Sequence, residues 1–218
     1  MSERSLPGLF VAGTDTGVGK TYVGAALARL LSRSGRRLSV RKPVESGCAP
    51  GDGGVVPADA TNLRAAAGQR EPLEQVCPFR FPDPVAPDRA ARAAGTTLTI
   101  DQLVKAAQPD RGADYALVEG AGGFYSPLAE DGLNADLAAR LGLPVLLVAE
   151  DRLGCLNHIL LTLEAIRHRG LDCRAVILNR RAEAETGTDN AADLRRWTDR
   201  PIHTLGPDDG PEALAGLL

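Results

Sequence analysis

No apolar run in this chain approaches the roughly 20 residues that a membrane-spanning helix needs, and the first residues lack the charged-then-apolar pattern of a secretory leader. A cytoplasmic protein with no membrane partner is therefore expected. An excess of positive charge is missing too. Lys and Arg total 25 against 28 Asp and Glu, a net charge of −3, which argues against nucleic acid as a partner. The four cysteines, Cys48, Cys77, Cys155 and Cys173, form no C-x-x-C pair; scattered in this way in a cytoplasmic chain, they are expected as reduced thiols, with neither a disulfide frame nor a zinc site. His158, His168 and His203 are too dispersed to suggest a metal centre.

What is present suits a compact enzyme. With 218 residues, 44% of them hydrophobic and 24% charged, the chain buries a sizeable core and is most simply a single domain over 1–218. Apolar runs at 9–12, 38–41, 115–118, 145–149, 175–178 and 202–205 alternate with amphipathic helical stretches. The runs are nearly continuous in Val, Leu, Ile and Ala, as strands of a parallel sheet covered on both faces are. The expected fold is α/β and doubly wound, with a mostly parallel sheet and helices on both faces. In such sheets ligands bind outside the carboxyl ends of the strands, so the residues after each run are the candidates for chemistry.

After the first run comes Gly13-Thr14-Asp15-Thr16-Gly17-Val18-Gly19-Lys20-Thr21, and a helix is predicted from Thr21 to about Ser32, stopped by Gly35. A strand, a glycine-rich loop and a helix opening on G-K-T make an anion cradle of backbone N–H groups at a helix N-terminus. Lys20 is placed to reach the β- and γ-phosphates, and the Thr21 hydroxyl to ligate Mg²⁺. The spacing is a variant of the P-loop, because its first glycine is Gly13 where the standard G-x-x-x-x-G-K-[ST] pattern would put it at Thr14.

The second run ends in Arg41-Lys42-Pro43-Val44-Glu45-Ser46-Gly47, where Pro43 is expected to stop the strand and throw the chain into a loop over the sheet edge, with Lys42 pointing towards the P-loop. Residues 48–57, crowded with Gly and Pro, read as a mobile loop, and a helix is predicted over 59–67 with Asp59 opening it, in the ordinary case as its N-cap. The segment 78–94 reads as an irregular flap followed by a short helix. Glu119, closing the third run before Gly120-Ala121-Gly122-Gly123, is a candidate Mg²⁺ ligand beside backbone that approaches phosphate closely. Asn179 closes the fifth run, and an amide there is suited to read a purine because it donates and accepts at once.

Taken as an ordered set, GTDTGVGKT, KPVESG, the lone Asp59, VEGAGG and LGCLNH resemble dethiobiotin synthetase nearly from end to end. The resemblance implies an ATP- and Mg²⁺-dependent cyclo-ligase that joins CO₂ to the two amines of diaminopelargonic acid through a carbamate and a carbamic–phosphoric anhydride. It also implies roles. Lys42 and Lys20 fall on the catalytic lysines, and Thr21, Asp59 and Glu119 on the metal ligands. Thr16, Gly17, Val18, Gly19, Lys20, Thr21, Tyr22, Asp59, Glu119, Gly120, Ala121 and Gly122 surround the ATP, with Asn179, Arg180, Leu205, Gly206 and Pro207 on its adenine side. Substrate contacts fall on Thr16, Lys42 and Ser46, and on Gly154, Cys155, Leu156 and Asn157, a helix start that the family offers across a homodimer interface to the substrate carboxylate. The family also implies a tyrosine near that carboxylate, and RRAEAETGTDNAADLRRW after Asn179 has none.

Two other classes share the P-loop. A MinD/ParA-like switch ATPase usually carries a lysine near the loop's start, where this chain has Asp15, and often a membrane-binding tail, for which GPEALAGLL is short and weakly charged. A nucleotide-sensing domain without catalysis is the other.

Overall fold

The computed structural model describes residues 6–180 and 189–217. β1 (Gly8–Gly13) is wholly buried and leads through the P-loop into α1 (Lys20–Arg33). β2 (Leu38–Arg41) follows, then β3 (Val44–Ser46), the hairpin β4 (Ala49–Gly51) and β5 (Gly54–Val56), and α2 (Ala58–Ala66). Next come α3 (Leu73–Val76), β6 (Phe79–Phe81), α4 (Pro87–Ala93) and α5 (Ile100–Ala106). β7 (Tyr115–Gly123) precedes the short β8 (Pro127–Ala129) and β9 (Gly132–Leu133), after which α6 (Asn134–Leu141) and β10 (Val145–Glu150) alternate with α7 (Cys155–His168) and β11 (Cys173–Asn179). α8 (Asn190–Leu194), β12 (Ile202–Leu205) and a 3₁₀ turn (Pro211–Leu217) complete the described chain.

Six strands form one sheet in the order β12-β11-β10-β1-β7-β2, and every neighbouring pair is parallel. The six predicted apolar runs are these six strands. Alternate side chains leave each strand on opposite faces: Phe10 and Ala12 enter one apolar cluster with α6 and α7, while Leu9 and Val11 enter another with α1 and α2. Both faces are thus dry, which is why the runs are continuous in apolar residues.

Four local expectations are corrected. Pro43 does not throw the chain into a loop; lacking an N–H it cannot extend the ladder of β2, and the chain leaves that sheet to pair β3 in parallel with β6. Residues 48–57 hold an exposed antiparallel hairpin in place of an unstructured loop, turned at Gly53 with φ 92°. In the segment 78–94 the short helix is found, as α4 with Pro87 in its first turn, but the flap before it is not wholly irregular, since Phe79–Phe81 is a strand. Finally, Glu119 to Gly122 lie inside β7, which continues to Gly123 beside Gly13 with a register shift against β1. The third run looked shorter because its last residues are glycines, chosen for close approach: a Cβ on Gly120 would stand 2.5 Å from the Asn134 side chain, and one on Gly123 3.1 Å from the Thr14 carbonyl.

Candidate functional site

At the carboxyl ends of β1, β2 and β7 the P-loop, the Lys42–Ser46 segment and the start of α2 enclose a polar cavity of about 280 Å³. It is lined by Thr16, Gly17, Gly19, Lys20, Thr21, Lys42, Glu45, Ser46, Asp59, Ala121 and Gly122. β1 delivers the P-loop from the interior of the sheet, β7 beside it carries Glu119, and the edge strand β2 beyond β7 leads into Lys42. Gly13 explains the variant spacing. A Cβ there would lie 2.8 Å from the Asp15 carbonyl and 3.0 Å from Lys20 Nζ, so the loop curls tightly over the last residue of the strand only if that residue is glycine.

Lys20 Nζ donates to the Asp15 carbonyl at 3.0 Å. Burial, reinforced by the neighbouring Lys42 ammonium and only partly opposed by Glu119, Asp59 and Asp15, pulls its pKa down to about 8. Lys42 is 2% exposed. Its Nζ donates to Glu119 Oε1 at 2.6 Å and to the Gly120 carbonyl at 3.0 Å, and stands 3.3 Å from Asp59 Oδ2. Burial works to lower its pKa, yet Glu119 and Asp59 outweigh it and hold the group above the ordinary lysine range.

Thr21 Oγ1 donates to the same Glu119 oxygen at 2.8 Å. The other, Oε2, is buried without a hydrogen-bond partner, an arrangement that costs free energy unless something positive or proton-bearing joins it. Hydroxyl and carboxylate oxygens are the hard donors Mg²⁺ takes, a few from protein and the rest from water and phosphate. The residues present therefore fit a Mg²⁺ ion.

Asp59 is not the N-cap of α2. That place belongs to Pro57, which has no capping side chain, and the carboxylate of Glu45 takes its part: Oε1 accepts from the Asp59 N–H at 2.9 Å and Oε2 from the Ala60 N–H at 3.0 Å. Burial pushes the Glu45 carboxyl pKa up, and these two N–H donors oppose that shift. Sequence reasoning missed Glu45 because cap patterns are read from neighbours along the chain, whereas this acceptor comes from another segment. Ser46 Oγ donates to the Val85 carbonyl at 2.7 Å, tying the cavity wall to the segment before α4.

The predicted adenine-side residues form a second group around the start of α1. Asn179 is buried, with Nδ2 donating to the Val18 carbonyl at 3.0 Å, and a Cβ on Gly19 would stand 2.0 Å from that nitrogen. Asn179 thus holds the P-loop from below. Arg180 donates to Asp151 through Nε at 2.8 Å and through its backbone N–H to the Leu205 carbonyl. The Tyr22 hydroxyl donates to the Gly206 carbonyl at 3.0 Å, with the Pro207 carbonyl at 3.5 Å.

Gly154, Cys155, Leu156 and Asn157 are not brought into this cavity. They form the start of α7, and Asn157 lines a separate, larger groove of about 410 Å³ beside Leu160, Leu161 and Trp197. Volume does not decide between the two: the smaller cavity gathers both buried lysines and their carboxylates, the chemistry a phosphate site needs. Of the tyrosine-free stretch 180–197, residues 181–188 lie outside the described residues. Among the described residues no helix is long and apolar enough to cross a membrane.

A family model described as an AAA domain matches residues 7–206. The chain is 46% identical over 203 residues to the ATP-dependent dethiobiotin synthetase BioD of Anaeromyxobacter dehalogenans (strain 2CP-C), covering 92% of this chain and 89% of that protein. It is 46% identical over 194 residues to that of Ralstonia nicotianae, covering 88% and 85%. Among solved structures it resembles the septum site-determining protein MinD complexed with Mg-ADP from Pyrococcus horikoshii OT3, with a TM-score of 0.55 at 18% identity over 93% of this chain and 82% of that one. The MinC:MinD complex of Aquifex aeolicus matches with a TM-score of 0.54 at 14% identity, covering 97% and 84%. At such identities the likeness to these two structures shows the fold alone.

Proposed function

The chain belongs to the ATP-dependent dethiobiotin synthetase family, and on that premise we propose that its polar cavity closes the ureido ring of dethiobiotin from diaminopelargonic acid, CO₂ and ATP. One observation carries the reading: Lys20, Thr21, Lys42, Ser46 and Asp59, drawn from three separate segments, line a single cavity, and Glu119 from a fourth is hydrogen-bonded to two of them, Thr21 and Lys42.

The chemistry runs in three steps. A neutral amine of the substrate attacks CO₂, its nitrogen lone pair forming the C–N bond while a proton is lost, to give a carbamate. Burial beside Lys20 and Lys42 favours that neutral amine, because a third ammonium there would face two cations. The carbamate oxygen then takes the γ-phosphoryl group and ADP leaves. Charge spreads over the equatorial phosphoryl oxygens in this step, and Lys20 and Lys42 are placed to stabilise it. In the last step the second amine attacks the carbonyl carbon of the anhydride, inorganic phosphate departs with the C–O bond electrons, and loss of the amine proton completes the urea.

Thr21, Asp59 and Glu119 would hold Mg²⁺, which when bound neutralises charge on the phosphate oxygens. Thr16 to Tyr22 and Glu119 to Gly122 cradle the triphosphate. Asn179, Arg180 and Leu205 to Pro207 form the adenine side, and Ser46 with Thr16 orients the diamine. A homodimer in the cytoplasm completes the reading, with Gly154 to Asn157 of one protomer serving the substrate carboxylate of its partner. Exposed apolar side chains on this face, Leu153 at 73%, Leu161 at 60% and Trp197 at 67%, support an interface there.

The test is incorporation of radiolabelled bicarbonate into acid-stable product by purified protein, omitting ATP, Mg²⁺ and the diamine in turn. Label is expected only when all are present. ATP binding without acid-stable label under any condition would overturn the reading and favour a partner-driven ATPase.

A further inference from the structure

We propose that Glu45 is a positioning residue that sets the distance between Lys42 and Asp59 by capping α2 from outside the helix. The inference rests on the reading of Asp59 as a metal ligand given above.

A helix leaves its first N–H groups without intrahelical partners, and an Asp, Ser, Thr or Asn directly before it normally answers them. α2 has Pro57 in that place and no local side-chain cap. Glu45 supplies two of the missing acceptors, one oxygen for the Asp59 N–H at 2.9 Å and one for the Ala60 N–H at 3.0 Å, and its negative charge sits at the positive end of the helix. With 7% of its surface exposed, the carboxylate is well shielded from water.

The consequence is geometric. Glu45 stands three residues after Lys42 in a segment held on its other side by the pairing of β3 with β6. Capping from this segment joins the backbone that carries Lys42 directly to the backbone of Asp59. The Lys42–Asp59 separation of 3.3 Å is thereby fixed by two short connections and does not depend on the exposed hairpin β4–β5 that links them along the chain. A local cap at residue 57 would order α2 equally well while leaving this bridge to Glu45 unnecessary for the helix itself.

That difference makes the role testable by rescue. In Glu45→Ala, amide exchange at Asp59 and Ala60, read by NMR on the protein without ligands, is expected to accelerate about tenfold, the equilibrium equivalent of a lost cap. The Mg²⁺ concentration for half-maximal ATP turnover is expected to rise by a similar factor, with KM for the diamine unchanged. Adding Pro57→Asp, which presents a carboxylate to the same two amides, should restore slow exchange but leave the raised Mg²⁺ requirement in place, because the bridge from the Lys42 segment is still missing. Recovery of the Mg²⁺ requirement by this local cap would reduce Glu45 to a helix cap and overturn the proposal, and Pro57→Asp alone should leave turnover as it was. Glu45→Gln, keeping the shape and one acceptor, should fall between and serves as the readout if Glu45→Ala does not fold. A raised diamine KM that Pro57→Asp leaves unrepaired would make Glu45 a substrate contact and overturn the proposal, as would unchanged exchange in Glu45→Ala. If the unmodified protein shows no diamine-dependent turnover, the functional reading fails, and the exchange measurement still decides the cap.

Discussion

Lys42→Met keeps most of the buried stem of Lys42 and removes its charge. The ammonium it removes makes a 2.6 Å bond to Glu119, a 3.0 Å bond to the Gly120 carbonyl and an ion pair with Asp59 at 3.3 Å. Two effects of different size follow. Losing one preorganised charge at the point where phosphoryl negative charge develops costs about 10²–10³ in turnover, or roughly 2.7–4 kcal/mol of barrier. Leaving the buried Glu119 carboxylate without its cation costs about 3–5 kcal/mol of stability; Asp59, with its side chain 44% exposed, is screened by water and adds little. Against a typical total of roughly 5–15 kcal/mol, the variant should fold but melt lower. The double variant Lys42→Met, Glu119→Gln removes both charges, so it should recover much of the melting temperature and none of the turnover. The assay is kcat for bicarbonate fixation beside a thermal melt. A folded Lys42→Met with turnover within a few-fold of the unmodified protein would refute the catalytic role, and a double variant no more stable than the single would refute the electrostatic account.

Lys20, held down to about pKa 8 without a ligand, must be protonated to hold a triphosphate, and bound phosphate raises its pKa. ATP affinity should therefore be level below about pH 7, then fall towards tenfold per unit as pH rises past about 8, with one proton taken up on binding; titration calorimetry in buffers of different ionisation enthalpy reads both, and affinity constant to pH 9.5 would refute the assignment. Gly19→Ala places a Cβ on a residue at φ 96° and 2.0 Å from Asn179 Nδ2, so the P-loop must shift; nucleotide binding should be lost while far-ultraviolet circular dichroism is retained, and normal ATP affinity would show that the loop geometry is not required. Ser46→Ala loses one ordinary hydrogen bond, about 0.5–1.5 kcal/mol, and should raise the diamine KM about 2- to 10-fold with kcat unchanged; a fall in kcat alone would place Ser46 in the chemical step.

Much of the site was legible because the chemistry sits where strands end. G-K-T after an apolar run marked Lys20 and Thr21, and the carboxylate and glycines in Glu119-Gly120-Ala121-Gly122 marked the metal and phosphate edge. The helix-opening position of Asp59 pointed to a cap, and that reading failed because its backbone is capped by Glu45 while its own carboxylate faces Lys42. Residues 48–57 and the start of 78–94 read as irregular because Gly and Pro in the first and Pro in the second suppress any strand pattern, yet a local hairpin orders the first and pairing with distant β3 makes Phe79–Phe81 a strand.

The sequence by itself determined the six core strands, the P-loop and the helix that follows it. These depend on near neighbours: continuous apolar runs that must be covered on both faces, and a glycine loop whose own backbone makes the cradle. Only the tertiary structure decided which distant groups meet, since the order β11-β10-β1-β7-β2 sets Lys42 against Glu119 across 77 residues and Asn179 against Val18 across 161. Those contacts are fixed by which strands lie side by side, and no local pattern in the chain carries that information.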